Sequence, residues 1–333
     1  MSSVPVVVTE GEFRRASQVF SGASGLSCVM APEGELELAE IIRSASAQYA
    51  VIGHRRYEGP LYAALPPRGL IARFGVGHDG VDKARATAAG LMCTNTPSVL
   101  DQSVAEFTLW LIGAAARHLV SLAADMRQGR WMLRGGLELQ GKRLAVIGCG
   151  QIGSAVARIA SAGFGMHVVG CHRPGAPPTT AAAAPVFSEL TDDFGLAVRD
   201  ADFVTLHIPT TPATRHYVDA ARLAMLAPKA WLINTARGAV VDELALHDAL
   251  AAGRLAGAAL DVFAQEPYVP LDPARDLRSL ENVLLTPHVG SNTAEANRRM
   301  GERALQNVRW AVAGDFTRMD LLNPEVIRTF ASA

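Results

Sequence analysis

Residues 144–157 read Leu-Ala-Val-Ile-Gly148-Cys-Gly150-Gln-Ile-Gly153-Ser-Ala-Val-Ala, and no other stretch constrains the fold as much. An apolar run enters a G-x-G-x-x-G turn, and small residues leave it. A buried strand before the turn and a closely packed helix after it are the context of a dinucleotide-binding turn. Gly148 permits the tight turn, Gly150 lets the backbone approach a pyrophosphate, and Gly153 lets the helix pack on the strand. The N–H groups and partial positive charge of the helix N-terminus then face the phosphates. Gln151 and Ile152, within the same turn, are candidate cofactor contacts alongside the three glycines.

Length and charge narrow the class. A chain of 333 residues, 49% hydrophobic and 19% charged, exceeds one ordinary core, so two domains are expected. A net charge of −1 gives no reason to expect a nucleic-acid or membrane-surface partner. Cys28, Cys93, Cys149 and Cys171 are scattered without a C-x-x-C pair, which suits a reducing cytoplasmic setting and suggests no metal site. Met1-Ser-Ser-Val-Pro lacks the basic and apolar regions of a secretory leader. The apolar stretch Phe107 to Ala116 meets Arg117 and is too short to span a bilayer.

Short apolar runs alternate with helical patterns on both sides of a long central helix. Strands are expected at Val4–Thr9, Ser27–Ala31, Tyr49–Ile52 and Gly69–Phe74, with helices at Glu35–Ala45 and Val81–Ala89. One amphipathic helix is read from Asp101 to Gly129, with Asp101 as its N-cap. Six strands follow: Arg143–Ile147, His167–Cys171, Phe203–His207, Trp231–Thr235, Gly257–Val262 and Asn282–Thr286. A helix near Thr293–Ala313 closes the pattern. The Pro/Ala-rich segment from Arg173 to Pro185 reads as a surface loop. The expected class is α/β, with two Rossmann-like or flavodoxin-like doubly wound parallel-sheet domains and a ligand cleft between them. Residues 101–289 would form the NAD(P)-binding Rossmann domain, inserted into a substrate domain of residues 1–100 and 290–333.

NAD-binding units carry an acidic residue about 20 residues past the glycines, on the ribose 2′-hydroxyl. Here the second strand ends Val168-Val-Gly-Cys171-His172-Arg173-Pro174, with no acid at its tip. Arg173 can hold a 2′-phosphate through charge-assisted hydrogen bonds, so NADP is favoured over NAD.

Three segments follow three later strands, where open α/β sheets place their ligands. They are Asn234-Thr-Ala-Arg237-Gly-Ala-Val-Val-Asp242, Ala259-Leu-Asp261-Val-Phe-Ala-Gln-Glu266-Pro267 and Leu284-Leu-Thr-Pro287-His288-Val-Gly290-Ser291. Together they offer a cation, an acid and an imidazole, which suits reduction of a 2-oxo acid. Arg237 would grip the carboxylate, His288 would exchange the proton, and Glu266 would fix the imidazole tautomer.

With these segments in place, the chain resembles the D-isomer-specific 2-hydroxyacid dehydrogenase family, which includes glyoxylate/hydroxypyruvate reductases. Further matching motifs are Phe74-Gly-Val-Gly-His-Asp-Gly-Val-Asp82, Asn95-Thr-Pro97, Val104-Ala-Glu106 and Leu206-His207-Ile-Pro209. The resemblance makes Arg237, Glu266 and His288 the catalytic set and gives the substrate carboxylate to the Val76 and Gly77 amides. It sets Asp261 against the nicotinamide carboxamide and adds His172, His207, Pro209, Thr235, Ala236 and Gly290 to the cofactor contacts. It also implies a homodimer built on the helix from Asp101, which carries Phe107, Leu109, Trp110, Leu111 and Ile112.

Departures from the family pattern are Pro209-Thr210-Thr211 in place of Pro-Leu-Thr, and a longer segment after Pro267. His54 and Arg55, in His54-Arg55-Arg56 after a first-domain strand, are further substrate-side candidates. Two alternatives share the architecture: a non-enzymatic dinucleotide-sensing protein like the family's corepressors, and a formate- or phosphite-type dehydrogenase. Retention of all three catalytic residues weighs against the first. Glu266, which formate oxidation does not need, weighs against the second.

Overall fold

The computed structural model describes residues 3–175 and 186–330, and most of the Pro/Ala-rich segment, residues 176–185, lies outside them. The chain divides into two compact units, Met1–Leu100 with Asn292–Ala333, and Asp101–Ser291.

The first unit holds β1 (Val4–Thr9), β2 (Leu26–Ala31), β3 (Tyr49–Ile52), β4 (Leu70–Arg73) and β5 (Met92–Thr94). They form a parallel sheet in the order β2-β1-β3-β4-β5. Strand β5 is not among the four strands expected here. It has three residues, too few to display a period. β3 is buried at every position, as expected of a parallel strand covered on both faces. The helix Ala294–Ala313 belongs to this unit and starts at Thr293, whose hydroxyl accepts the Ala296 N–H at 3.1 Å.

The second unit holds β6 (Arg143–Ile147), β7 (His167–Cys171), β8 (Glu189–Thr191), β9 (Phe203–Leu206), β10 (Trp231–Asn234), β11 (Gly257–Leu260) and β12 (Val283–Leu285). All pair in parallel, in the order β12-β11-β10-β9-β6-β7-β8. The sheet therefore has seven strands, where six are expected from the sequence. The addition is β8, a short edge strand whose Glu189 and Leu190 are exposed. Alternation along β6 divides the core. Leu144 and Val146 pack with the helices Asp101–Ala116 and Gln151–Phe164. Ala145 and Ile147 pack on the other face, with the helices Phe194–Val198 and Glu243–Ala251.

The expected single helix from Asp101 to Gly129 is two helices, Asp101–Ala116 and Leu119–Arg127, bent by 63°. His118 causes the break by adopting a left-handed conformation, φ 51°. Asp101 is the first helical residue rather than the N-cap. Among the described residues no single helix is long and apolar enough to cross a membrane; this bent pair reaches the threshold only jointly.

Candidate active site

Strand order fixes the location of the glycine turn. β7 and β9 flank β6 on opposite sides, so the chain changes direction between β6 and β9, and a crevice opens at their C-terminal ends. Gly148 occupies that point with φ 104°, and a β-carbon there would lie 2.5 Å from the His207 carbonyl oxygen. At Gly153 it would lie 2.0 Å from the Gly148 oxygen. Both positions exclude any other residue. Gly150 differs, because a β-carbon there would meet nothing within 4 Å, leaving open space above the turn. The helix Gln151–Phe164 starts from Gly150 with no side-chain cap, and Gln151 is exposed at its first position. A pyrophosphate fits this cradle: open room above Gly150, and helix amides not satisfied by a capping side chain.

Neighbouring groups suit the same ligand. Burial pushes the His207 imidazole down to about 3, so the ring is neutral at ordinary pH, with Nε2 3.0 Å from the Thr205 hydroxyl. Beyond Pro209, Thr210 has a buried hydroxyl with no hydrogen-bond partner. At the tip of β7, His172 is half-buried and Arg173 exposed. The nearest acids, Asp192 and Asp193, follow β8, and Asp193 caps the helix Phe194–Val198 by accepting the Leu196 N–H at 2.8 Å.

Parallel pairing of β10, β11 and β12 brings the other three segments to one edge, with Asn234 opposite Leu260 and Leu260 opposite Leu285. Arg237, Glu266 and His288 each follow one of these ends and are half-buried. The Arg237 turn is built by Asn234. Its buried amide donates to the Arg237 carbonyl at 2.9 Å and accepts the Ala236 N–H at 3.0 Å. Thr235 anchors the turn to the helix Asp101–Ala116 through Thr108, at 2.9 Å. The Arg237 Nη1 donates to the Ala236 carbonyl at 2.6 Å, which folds the guanidinium over its own turn.

Glu266 holds His288. Its Oε2 lies 2.7 Å from His288 Nδ1, and its Oε1 accepts the Phe263 N–H at 3.1 Å. A carboxylate can only accept, so Nδ1 carries a proton and Glu266 is bound through that nitrogen rather than Nε2. His288 sits at φ 52°, a conformation that costs free energy and persists only where the surroundings impose it. Asp261 supplies that constraint. It is 1% exposed; its Oδ1 accepts the Thr286 hydroxyl (2.7 Å) and the Val289 N–H (2.9 Å), and its Oδ2 accepts the Gly290 N–H (2.8 Å). Burial raises its carboxyl above the usual range, while these three donors and the His288 charge draw it back. Whatever else Asp261 meets, it fixes the loop carrying His288.

In the first unit, the loop after β4 is shaped by the Asn95-Thr96 pair. The Gly75 N–H donates to the Thr96 hydroxyl at 2.9 Å, and the Asn95 amide donates to the Val76 carbonyl at 2.7 Å. These bonds set the orientation of Val76 and Gly77. Arg55 pairs with Glu33 at 2.7 Å, and His54 is exposed beside it on the same turn.

Thr210 is one of the departures from the family pattern, whereas Asn234 and Thr108 have no role assigned from the sequence. Asn234 closes the strand before Arg237, and its capping pattern is a signal that sequence reading could use. Thr108 carries no such local signal.

Replacing Asp261 by Asn tests the loop assignment. The amide nitrogen in place of Oδ2 would face the Gly290 N–H, donor against donor. The expected cost is about 1–3 kcal/mol of stability, with a fall in turnover, read by thermal unfolding and steady-state kinetics. Native stability in that variant would show that these bonds do not hold the loop.

A family model described as "D-isomer specific 2-hydroxyacid dehydrogenase, NAD binding domain" matches residues 109–290. The chain is 39% identical over 259 residues to D-3-phosphoglycerate dehydrogenase of Methanocaldococcus jannaschii, covering 77% of this chain but only 48% of that relative. It is 36% identical over 280 residues to glyoxylate reductase of Korarchaeum cryptofilum, covering 81% of each. Among solved structures it is similar to NADPH-dependent glyoxylate/hydroxypyruvate reductase from Sinorhizobium meliloti in complex with NADP and malonate. The TM-score there is 0.78 and the identity 31%, covering 93% of both chains.

Proposed function

The chain belongs to the D-isomer specific 2-hydroxyacid dehydrogenases, and from that premise we propose that Arg237, Glu266 and His288 carry out reduction of a small 2-oxo acid. It is an oxidoreductase that uses a nicotinamide dinucleotide and acts on CH–OH groups. The observation that carries the assignment of roles is the 2.7 Å pair of His288 Nδ1 and Glu266 Oε2, which follow the two strands next in order to that of Arg237.

The bound nicotinamide supplies the hydride. The Gly148–Gly153 turn would hold its pyrophosphate, with Pro209, Thr235, Ala236 and Gly290 along the nicotinamide side. The fork of Arg237 binds the substrate carboxylate and polarises the carbonyl. In the first unit, the Val76 and Gly77 amides are proposed donors to a carboxylate. His288 Nε2 gives the carbonyl oxygen its proton, and the Glu266 carboxylate holds the ring through Nδ1.

These roles separate in kinetics. His288→Ala is expected to lose about 10²–10⁴-fold in turnover with cofactor affinity retained. Glu266→Gln keeps a hydrogen-bonding group beside Nδ1 but removes the carboxylate charge, so steady-state kinetics should show a lower kcat for reduction with the cofactor KM unchanged. Near-native reduction by His288→Ala on glyoxylate, hydroxypyruvate or pyruvate would assign the proton elsewhere.

NADPH is the proposed cofactor in preference to NADH. Support comes from the exposed Arg173 at the tip of β7 and the absence of an acid there. Arg173→Ala should raise the KM for NADPH far more than that for NADH. A native preference for NADH would sink the assignment.

The proposed location is the cytoplasm, in keeping with four free cysteines. The proposed assembly is a homodimer. Trp110 is 72% exposed, Trp131 78% and Leu133 88%, with Leu119, Val120 and Met126 also exposed on the same stretch of chain. That much apolar surface marks an interaction site. Light scattering should give twice the mass of one chain, and Leu133→Glu should lower it. A native monomer at micromolar concentration would refute the dimer.

A further inference from the structure

We propose that Glu243 is a positioning residue for Glu266, holding the turn from which Glu266 reaches His288. The proposal rests on the reading of Glu266 and His288 as the proton-transfer pair.

Glu243 opens the helix Glu243–Ala251 but does not serve that helix. The N-cap is Asp242, whose Oδ1 accepts the N–H groups of Leu244 and Ala245, each at 3.1 Å. The Glu243 carboxylate turns away and accepts the Ala264 N–H, a contact between the loops after β10 and β11. At 7% exposed it is buried, and burying a carboxylate is costly unless it is well hydrogen-bonded. One backbone amide is modest compensation, and Glu266 lies close enough to repel it. A group placed at such a cost calls for a reason beyond the stability of its own helix.

The turn itself gives that reason. Ala264 follows Phe263, whose N–H donates to Glu266 Oε1. Two successive amides are thus gripped by two different carboxylates, Glu243 and Glu266. Gly238 packs beneath them, and a β-carbon there would lie 1.9 Å from the Phe263 carbonyl carbon. The turn is fixed by Gly238 on one side and Glu243 on the other. The connection then runs from Glu243 through the Phe263–Ala264 backbone to Glu266 and on to His288 Nδ1. Other titratable groups facing Glu243 are Asp242 on its own turn, His216 from the segment before Val218, and Tyr268 beyond the Glu266 turn. His216 is itself held by its N–H to the Ala239 carbonyl at 2.8 Å.

Three variants of the full chain test this, with saturating cofactor and the best 2-oxo acid substrate. Glu243→Ala removes the acceptor, and Glu243→Asp keeps the charge but is one methylene short of Ala264. Both should lower kcat about tenfold while leaving the cofactor KM unchanged. Glu243→Gln, whose amide oxygen still accepts from Ala264, should keep kcat within about twofold of native. If the alanine variant does not fold, the aspartate and glutamine variants carry the comparison. A purely structural role would lower the melting temperature yet leave kcat per active site in place, and that result overturns the proposal. Equal losses in Glu243→Gln and Glu243→Asp would also overturn it. Failure of the underlying reading is distinct: His288→Ala would then retain native turnover whatever Glu243 does.

Discussion

In a parallel sheet all strands end at the same edge, and the second unit depends on this constraint. β10, β11 and β12 each run into a connecting segment, and their register sets the starts of those segments side by side. Arg237, Glu266 and His288 lie far apart in sequence, yet pairing alone brings them to one rim. The same pairing puts Gly148 against the His207 carbonyl on β6 and β9. The glycine turn and the Glu266–His288 pair therefore share one scaffold.

Around that rim, buried carboxylates stiffen what the strands leave loose. Asp261 accepts three donors from the loop after β12, and Glu243 accepts one from the loop after β11. Both are almost fully buried, and burial raises the proton affinity of both. The strained φ of His288 persists because its neighbours Thr286, Val289 and Gly290 are all tied to Asp261. The loops that carry Glu266 and His288 are thus held by acids that accept hydrogen bonds from them.

Much of this was legible in the sequence wherever a local pattern recorded it. The long strands of both sheets announce themselves as apolar runs between turns, and the glycine turn as a motif in its proper context. Strands β5 and β8 did not, because three residues display no period and β8 carries Glu189 at an exposed edge. The break at His118 was invisible for a different reason. Ala115-Ala-Arg-His-Leu119 contains neither glycine nor proline, so nothing local opposes a continuing helix. At the site, the residues exposing functional groups could be named, whereas their supports could not. Glu243 and Ala264 are joined only by tertiary contact, and a sequence spacing does not encode which backbone amide a carboxylate will meet.

The division between cradle and tip has an evolutionary consequence. At Gly148 and Gly153 the packing admits no side chain, so descendants of this chain must keep them. His172 and Arg173 are less enclosed, beyond the end of β7, where substitution disturbs little of the core. Under the proposed role of Arg173, a lineage with this architecture can change its dinucleotide preference at the tip of β7 while the glycine turn stays unchanged. Redox currency is in this sense a peripheral trait, open to drift and selection at a rate that the buried turn does not share.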